Sequence, residues 1–407
     1  MSSTTAVHKS IRATMLAVAA VLAGGASAST DPVTSWNVTA GDAVTAAGLA
    51  APPANRVLAI VHTAVYDAAR AIASREPVAA GAAGPSLDAA VAAAAHAVLV
   101  QLLPAQRAAI DEAYRVALAG VADGAAERAG VAAGESAAAG VLARRGDDGA
   151  AAPEAYRPRV IPGVYAPTTL PLCPQWPQRK PWLMASAAEF RPGPPPRLDG
   201  EVWARDYNEV RELGARDSVR RNAAETEAAR FWEATLPPIY HGLVRAVATL
   251  PGRNALDNAR LFTAVTQASD DALTAVFDAK YQYAFWRPIT AVRNGDLDGN
   301  DATERDPAWM PLIDTPMHPE YPCAHCIVAA AVGVVLEAEL GGAGRVTLAT
   351  TSPTAGGAVR TWSSVDAFVN EVAMARIAAG VHYRTSTEVG AEMGRRIGAL
   401  AVARFPR

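Results

Sequence analysis

Strand signals are nearly missing from this chain of 407 residues. No set of alternating Val, Ile and Thr runs recurs at regular spacing between turns, which excludes a sandwich or barrel. Only three cysteines are present, too few for a disulfide scaffold, and aromatic residues make up 6% of the chain. No apolar run reaches the ~20 residues that a spanning helix needs. The Ala-rich run Ala89 to Leu103 is weakly apolar and carries His96, while Ile327 to Leu336 is too short. There is no nucleotide-type glycine loop and no Gly-x-Ser-x-Gly elbow, so neither a P-loop enzyme nor a serine hydrolase is indicated. The formal charge is -3, and -5 once Lys9 and Arg12 are removed, which gives no electrostatic reason to expect nucleic acid as a partner.

What is present begins with an export signature. His8, Lys9 and Arg12 form a basic start, Ala13 to Ala23 is uncharged and mostly apolar, and Ala26-Ser27-Ala28 is a small-residue cleavage site. Residues 1–28 are therefore read as a signal peptide, and the mature protein as periplasmic or secreted without stable membrane insertion. About 380 residues remain, enough for one large or two ordinary domains.

Helical periodicity dominates that remainder. Residues 29–152 form an Ala-rich helical part. Within it Leu58, Val61, Val65, Ala68 and Ile72 mark one buried face of a helix from Arg56 to Ala73, and a helix pair breaks at Pro104. His62 within that face is read as a hydrogen-bonded packing histidine, because no partner motif accompanies it. Residues 153–198 are rich in proline, with Cys173, Trp176 and Trp182, and read as an ordered loop, lid or linker. Residues 199–407 return to helix, with segments from Glu201, Asn222, Tyr240, Arg253, Cys323 and Val365. The expected architecture is all-α, two packed bundle-like halves with the Pro-rich loop between them.

Three cysteines in an exported chain are compatible with one disulfide and one free thiol, with Cys173 pairing with Cys323 or Cys326 if the Pro-rich loop covers them. Cys323 and Cys326 lack the second ligand pair of a four-cysteine zinc site. The acidic turn Asp296 to Asp301 misplaces its glycine for a calcium loop and has Pro307 at the twelfth position, so it reads as a solvated turn.

The chemistry concentrates in three basic clusters. Lys280 and Arg287 lie seven residues apart, two helical turns, and are expected on nearly the same side of one helix, with Pro288 interrupting it. Around them Phe277, Tyr281, Tyr283, Phe285 and Trp286 indicate a partly buried setting, where an unpaired cation is costly and an internal anion is its natural partner. Pro322-Cys323-Ala324-His325 precedes an apolar helix whose N-terminal amides suit an anion, with Cys323 and Ala324 beside it. Arg376 and His382 flank Gly380, which is expected to end a helix and turn His382 toward the same ligand.

Taken together, these motifs resemble the vanadium-dependent haloperoxidase and type 2 phosphatidic acid phosphatase superfamily. Its pattern is lysine, six residues, Arg-Pro; then Pro-Ser-Gly-His; then Ser-Arg, three residues, Gly, one residue, His, three residues, Asp. Here it runs Lys280 to Arg287-Pro288, Pro322-Cys323-Ala324-His325, and Ala375-Arg376 through Gly380 to His382. Cys323, Ala324 and Ser386 stand where the family has serine, glycine and aspartate, and Glu388 is the nearby candidate for the missing carboxylate. The flanking segment, with Trp309 and His318-Pro319-Glu320-Tyr321, is closer to bacterial haloperoxidase-like members.

The resemblance implies that His382 is the axial vanadate ligand and His325 the general acid/base. Lys280, Arg287 and Arg376, with Cys323 and Ala324, would hold the oxyanion, and His318 would influence halide preference, toward bromide. The implied function is an exported haloperoxidase oxidising halide with hydrogen peroxide at bound vanadate. Its alternatives are a soluble acid phosphatase, needing no cofactor and passing through a phosphohistidine on a phosphate ester, and a non-catalytic oxyanion-binding protein.

Overall fold

Helix α9 (Ala255–Tyr283) is the axis around which the rest is assembled. In the computed structural model, residues 31–74, 84–341 and 346–407 are described; the expected signal peptide lies outside the described residues. Asp31–Arg407 form one unit. Thirteen α-helices and one two-stranded sheet make up its regular structure among the described residues. The Ala-rich part supplies α1 (Pro32–Ala46), α2 (Ala51–Ala73), α3 (Leu87–Leu102), α4 (Arg107–Ala119) and α5 (Ala125–Arg145). The α3–α4 pair bends by 118° at Pro104, as the proline requires, and no single described helix is long and apolar enough to cross a membrane. The remaining helices are α6 (Glu201–Leu213), α7 (Ala223–Phe231), α8 (Pro238–Ala248), α10 (Pro288–Arg293), α11 (Ala324–Leu340), α12 (Val365–Ala378) and α13 (Arg384–Arg404). A short hairpin, β1 (Leu348–Thr351) and β2 (Val359–Trp362), pairs Leu348 with Trp362.

Why α9 is central follows from its sequence. Its first turn is closed by a reciprocal capping box between Asn254 and Asp257, and from Asn258 to Lys280 it has almost no exposed residue. α2 packs on it from one direction, α11 and α13 from another, and one apolar core runs through all four. The α11–α13 contact is unusually close. A Cβ at Gly390 would lie 2.7 Å from the Cys323 carbonyl oxygen, and one at Gly394 2.2 Å from that of Ile327, so only glycine permits the approach. That contact fixes the start of α11 against the start of α13.

The Pro-rich segment is a strap tied to α9. Arg179 pairs with Asp270 (2.6 Å) and Asp148 (2.9 Å), all three buried. Asp271 accepts the backbone N–H groups of Trp182, Leu183 and Met184 at 2.7–3.0 Å. Burial raises Asp271 to about 6 despite those three donors. Farther along, Arg191 forks onto Asp278 at 2.6 and 2.7 Å. Leu172 meets Met317 through a 2.6 Å backbone bond, which brings the strap to the edge of the candidate site.

Candidate functional site

The expected continuous helix through Lys280 and Arg287 is not what forms. α9 ends at Tyr283, Ala284 takes a left-handed conformation (φ 47°), and Arg287 is the extended N-cap of α10. Pro288 explains this, since the residue before a proline is pushed out of the helical region. Lys280 and Arg287 nevertheless converge, because both grip one irregular segment. Lys280 Nζ donates to the carbonyls of Pro319 (2.9 Å) and Glu320 (2.8 Å), while Arg287 Nε donates to that of His318 (2.9 Å).

His382 sits where the last motif predicts. α12 ends at Ala378, and Gly380 just beyond it has a φ of 78° and a tight fit against Gly214 and Pro311 that demand glycine. The chain then turns, and Arg287 NH1 holds the Val381 carbonyl at 2.7 Å and lies 3.3 Å from His382 Nε2. The other ring nitrogen, Nδ1, is 2.7 Å from Glu320 Oε1, which also accepts the Tyr383 backbone N–H at 3.1 Å. This carboxylate fixes the imidazole tautomer: Nδ1 carries the proton and Nε2 is left as a lone pair. Glu320 thus fills the position for which sequence offered Ser386 or Glu388. Ser386 Oγ is 3.5 Å from His382 Nδ1, and Glu388 is exposed on the outer side of α13.

A cavity of about 550 Å³ opens at this point. Its lining includes His382, His325, Arg376, His318 and Ala324. His325, in the first turn of α11, bonds through Nε2 to the Ala234 carbonyl at 3.0 Å, so its Nδ1 is the free acceptor. Arg376 donates NH1 to the Trp232 carbonyl at 2.5 Å, and its buried Nε has no partner. His318 receives Arg287 NH2 at Nδ1 (2.9 Å) and packs against Phe277. Lys280 and Arg287 do not line the cavity; they stand behind its wall and act through their charge.

The electrostatics are one-sided. Lys280, Arg287 and Arg376 are all at most 1% exposed, with one carboxylate, Glu320, among them. Burial, then mutual repulsion, lowers Lys280 well below the usual lysine range. Burial likewise lowers Arg287 and Arg376 to about 10. Burial raises Glu320 to about 7 against the pull of Lys280 and Arg287. His318, His325 and His382 are all held well below 6.5 by burial and the neighbouring cations, so each is a neutral imidazole. Three buried cationic side chains beside a single buried carboxylate, Glu320, suit an anion, with Glu233 and Asp314 also in the cavity lining. Among the described residues no group of three or more His, Cys, Asp or Glu could hold a metal cation.

The cysteines correct an expectation. Cys323 and Cys326 pair with each other across the first turn of α11, their Cα atoms 5.4 Å apart, and Cys173 is free. Helical spacing brings the two sulfurs together locally, whereas the strap carries Cys173 to the core without a sulfur partner. Burial raises that thiol to about 11. The disulfide removes the S–H that could have donated to an anion. Cys323 serves instead as the N-cap, its sulfur accepting the Cys326 N–H at 3.2 Å and its own N–H bonding the Ser386 carbonyl at 3.1 Å. Ala324 keeps its place in the cavity wall.

His62 is buried, as read from sequence. Asn37 Nδ2 bridges its Nε2 (3.0 Å) and His241 Nδ1 (2.8 Å), and its ring stacks on Phe262. The acidic turn is self-satisfied, since Asp298 accepts Trp203 Nε1 at 2.7 Å and the Thr303 hydroxyl at 2.8 Å.

Residues 260–407 match the family model of the VCPO second helical-bundle domain. A curated relative, vanadium chloroperoxidase of Curvularia inaequalis, is 28% identical over 144 residues, covering 29% of this chain but only 23% of its own length. A bacterial vanadium-dependent iodoperoxidase structure superposes with a TM-score of 0.77 at 22% identity, covering 91% of this chain and 96% of that one. A holo-type bacterial vanadium-dependent chloroperoxidase gives 0.72 at 18% identity, covering 93% and 97%. Residues 260–407 thus match the VCPO second helical-bundle domain, and the chain as a whole shares the fold of the bacterial vanadium-dependent haloperoxidases.

Proposed function

We propose that this chain is an exported haloperoxidase that oxidises halide, bromide first, with hydrogen peroxide at a histidine-bound vanadate. The observation that carries the reading is His382, whose Nδ1–H is held by the Glu320 carboxylate at 2.7 Å while Nε2 is a lone pair at the cavity. A ligating histidine needs that arrangement, because a carboxylate on the far nitrogen orients the ring and raises its basicity. Vanadate would fit the rest of the pocket: the orphaned Arg376 Nε, the charges of Lys280 and Arg287, and the first-turn amides of α11 at Ala324 and His325 would suit its oxygens.

Each residue then has a task. Bound vanadate supplies Lewis-acid activation of hydrogen peroxide toward attack by halide. Arg376, Lys280 and Arg287 would offset the oxyanion's charge from buried positions. His325, neutral with Nδ1 free, takes a proton from incoming peroxide and returns it to the departing oxygen. His318, oriented by Arg287, borders the path by which halide approaches. Export rests on the basic, apolar and small-residue order of residues 1–28.

The test is bromination of a phenolic dye by purified protein before and after orthovanadate, alongside vanadium analysis. The expected result is dye bromination only after loading, lost by at least ~100-fold in His382→Ala together with vanadium retention. Hydrolysis of an aryl phosphate by vanadate-free protein, with no bromination, would replace this reading by the phosphatase alternative. Vanadate retention with neither activity would leave an oxyanion-binding protein.

A further inference from the structure

A second cavity, of about 310 Å³, opens nearer the start of α9, among α2, α5, α13 and the strap. It shares no lining residue with the cavity beside His382. Its volume meets the lower end of the ~300–1,000 Å³ typical of small-molecule sites. Thr63 of α2 and Thr263 and Gln267 of α9 form its floor, and all three are polar yet buried.

The hydrogen bonds of that floor settle what each group has left to offer. Thr63 Oγ1 donates to the Ala59 carbonyl at 2.6 Å, and Thr263 Oγ1 donates to that of His62 at 2.7 Å. A hydroxyl has one proton to give, so both oxygens remain as acceptors only. Gln267 Nε2, 2.9 Å from Thr63 Oγ1, must therefore be the donor in that pair. This fixes the amide and leaves Gln267 Oε1 with no partner among the described residues. A floor that can only accept is complementary to the hydroxyl groups of a ligand.

The rim has the opposite character. Arg70, Arg144 and Arg404 border the opening, and the one carboxylate in the lining, Asp67, pairs with Arg144 at 2.8 Å. Arg70 and Arg404 have no carboxylate partner among the described residues. The three arginines come from the last turns of α2, α5 and α13, where cations complement the helix dipole. Each carries a full charge against the roughly half charge of a helix end, so the rim still attracts an anion. Trp182 of the strap gives its indole N–H to Asp270 at 2.8 Å and brings the cavity only an apolar ring.

We propose that this cavity binds a polyhydroxylated carboxylate of the sugar-acid class, its hydroxyls on Thr263 and Gln267 and its carboxylate at Arg70 and Arg404. A plain carboxylate leaves the acceptors of the floor unmatched, and a neutral sugar leaves the arginines unmatched; a sugar acid satisfies both. The site does not depend on the haloperoxidase reading.

Isothermal titration calorimetry of the full chain with D-glucuronate tests it, beside D-glucose, which lacks the charge, and cyclohexanecarboxylate, which lacks the hydroxyls. Saturable glucuronate binding is expected, with each counterpart about tenfold weaker. Arg70→Gln combined with Arg404→Gln, both at exposed positions, should keep the thermal midpoint, weaken glucuronate about tenfold and leave glucose unchanged. Gln267→Met, close in size, should weaken glucuronate and glucose alike. No saturable glucuronate binding would overturn the site, as would binding unaltered by the paired arginine substitutions. Cyclohexanecarboxylate binding as tightly as glucuronate would overturn the role of the floor and with it the ligand class.

Discussion

Glu320 is the residue on which His382 depends. It is fully buried, bonded to Nδ1 at 2.7 Å, and itself positioned by the Tyr383 N–H. Glu320→Gln keeps an acceptor but loses the charge, so vanadate affinity is expected to fall 10- to 100-fold with the fold retained. A vanadate titration followed by tryptophan fluorescence checks this. Exposed Glu388→Gln should leave the affinity within about twofold, since screened surface charges contribute little. Loss in Glu388→Gln with none in Glu320→Gln would reverse the assignment. The five charged and imidazole groups were legible in sequence because each belongs to a short motif of fixed spacing. Glu320 was not, since nothing local in Pro319-Glu320-Tyr321 announces a bond to a histidine 62 positions away. Disulfide connectivity was equally beyond sequence, for spacing alone allows Cys173 either partner.

At the scale of elements, periodicity predicted the major helices to within a few residues but ran α9 and α10 together. The break at Ala284 is a tertiary outcome: its carbonyl accepts Tyr165 of the strap at 2.7 Å, and Pro288 forbids helix just beyond. α1 and α13 were missed; α13 carries Gly390, Gly394 and Gly398, poor helix formers chosen for close approach to α11. Two predictions belong here. The Cys323–Cys326 disulfide closes a very short loop at the start of α11, so Cys326→Ser should cost ~2 kcal/mol, read as a lower urea midpoint with unchanged slope. Non-reducing mass analysis should find one free thiol, at Cys173; three free thiols would contradict the pairing. Asp271→Ala strands the buried N–H groups of the strap at Trp182, Leu183 and Met184, and should cost at least ~3 kcal/mol. Limited proteolysis should then cut within 153–198, and an uncut strap would show that Asp271 is dispensable.

For the molecule as a whole, acid is the vulnerable direction. His62, held down to about 3 by burial against an ordinary 6.5, takes a proton in the unfolded chain long before it does in the fold. His241, His318, His325 and His382 are shifted the same way. Unfolded chains therefore gain protons as pH drops below 6.5, and stability falls with them toward pH 3, while above 6.5 these groups contribute no pH dependence. Asp271 and Glu320, raised by burial to about 6 and 7, act oppositely, losing stability as pH rises through those values. Five imidazoles outweigh two carboxyls, so the urea midpoint should decline steadily from pH 6.5 to 4. A flat profile over that range would mean that the buried imidazoles are solvated.

Three cationic side chains buried beside an open cavity have a further meaning for how this protein meets its surroundings. The occupant that relieves them is drawn from outside the chain, and inorganic phosphate has the same tetrahedral shape as vanadate. On the proposed reading, the salt composition around the protein sets which tetrahedral anion occupies the cavity, and phosphate there would exclude vanadate.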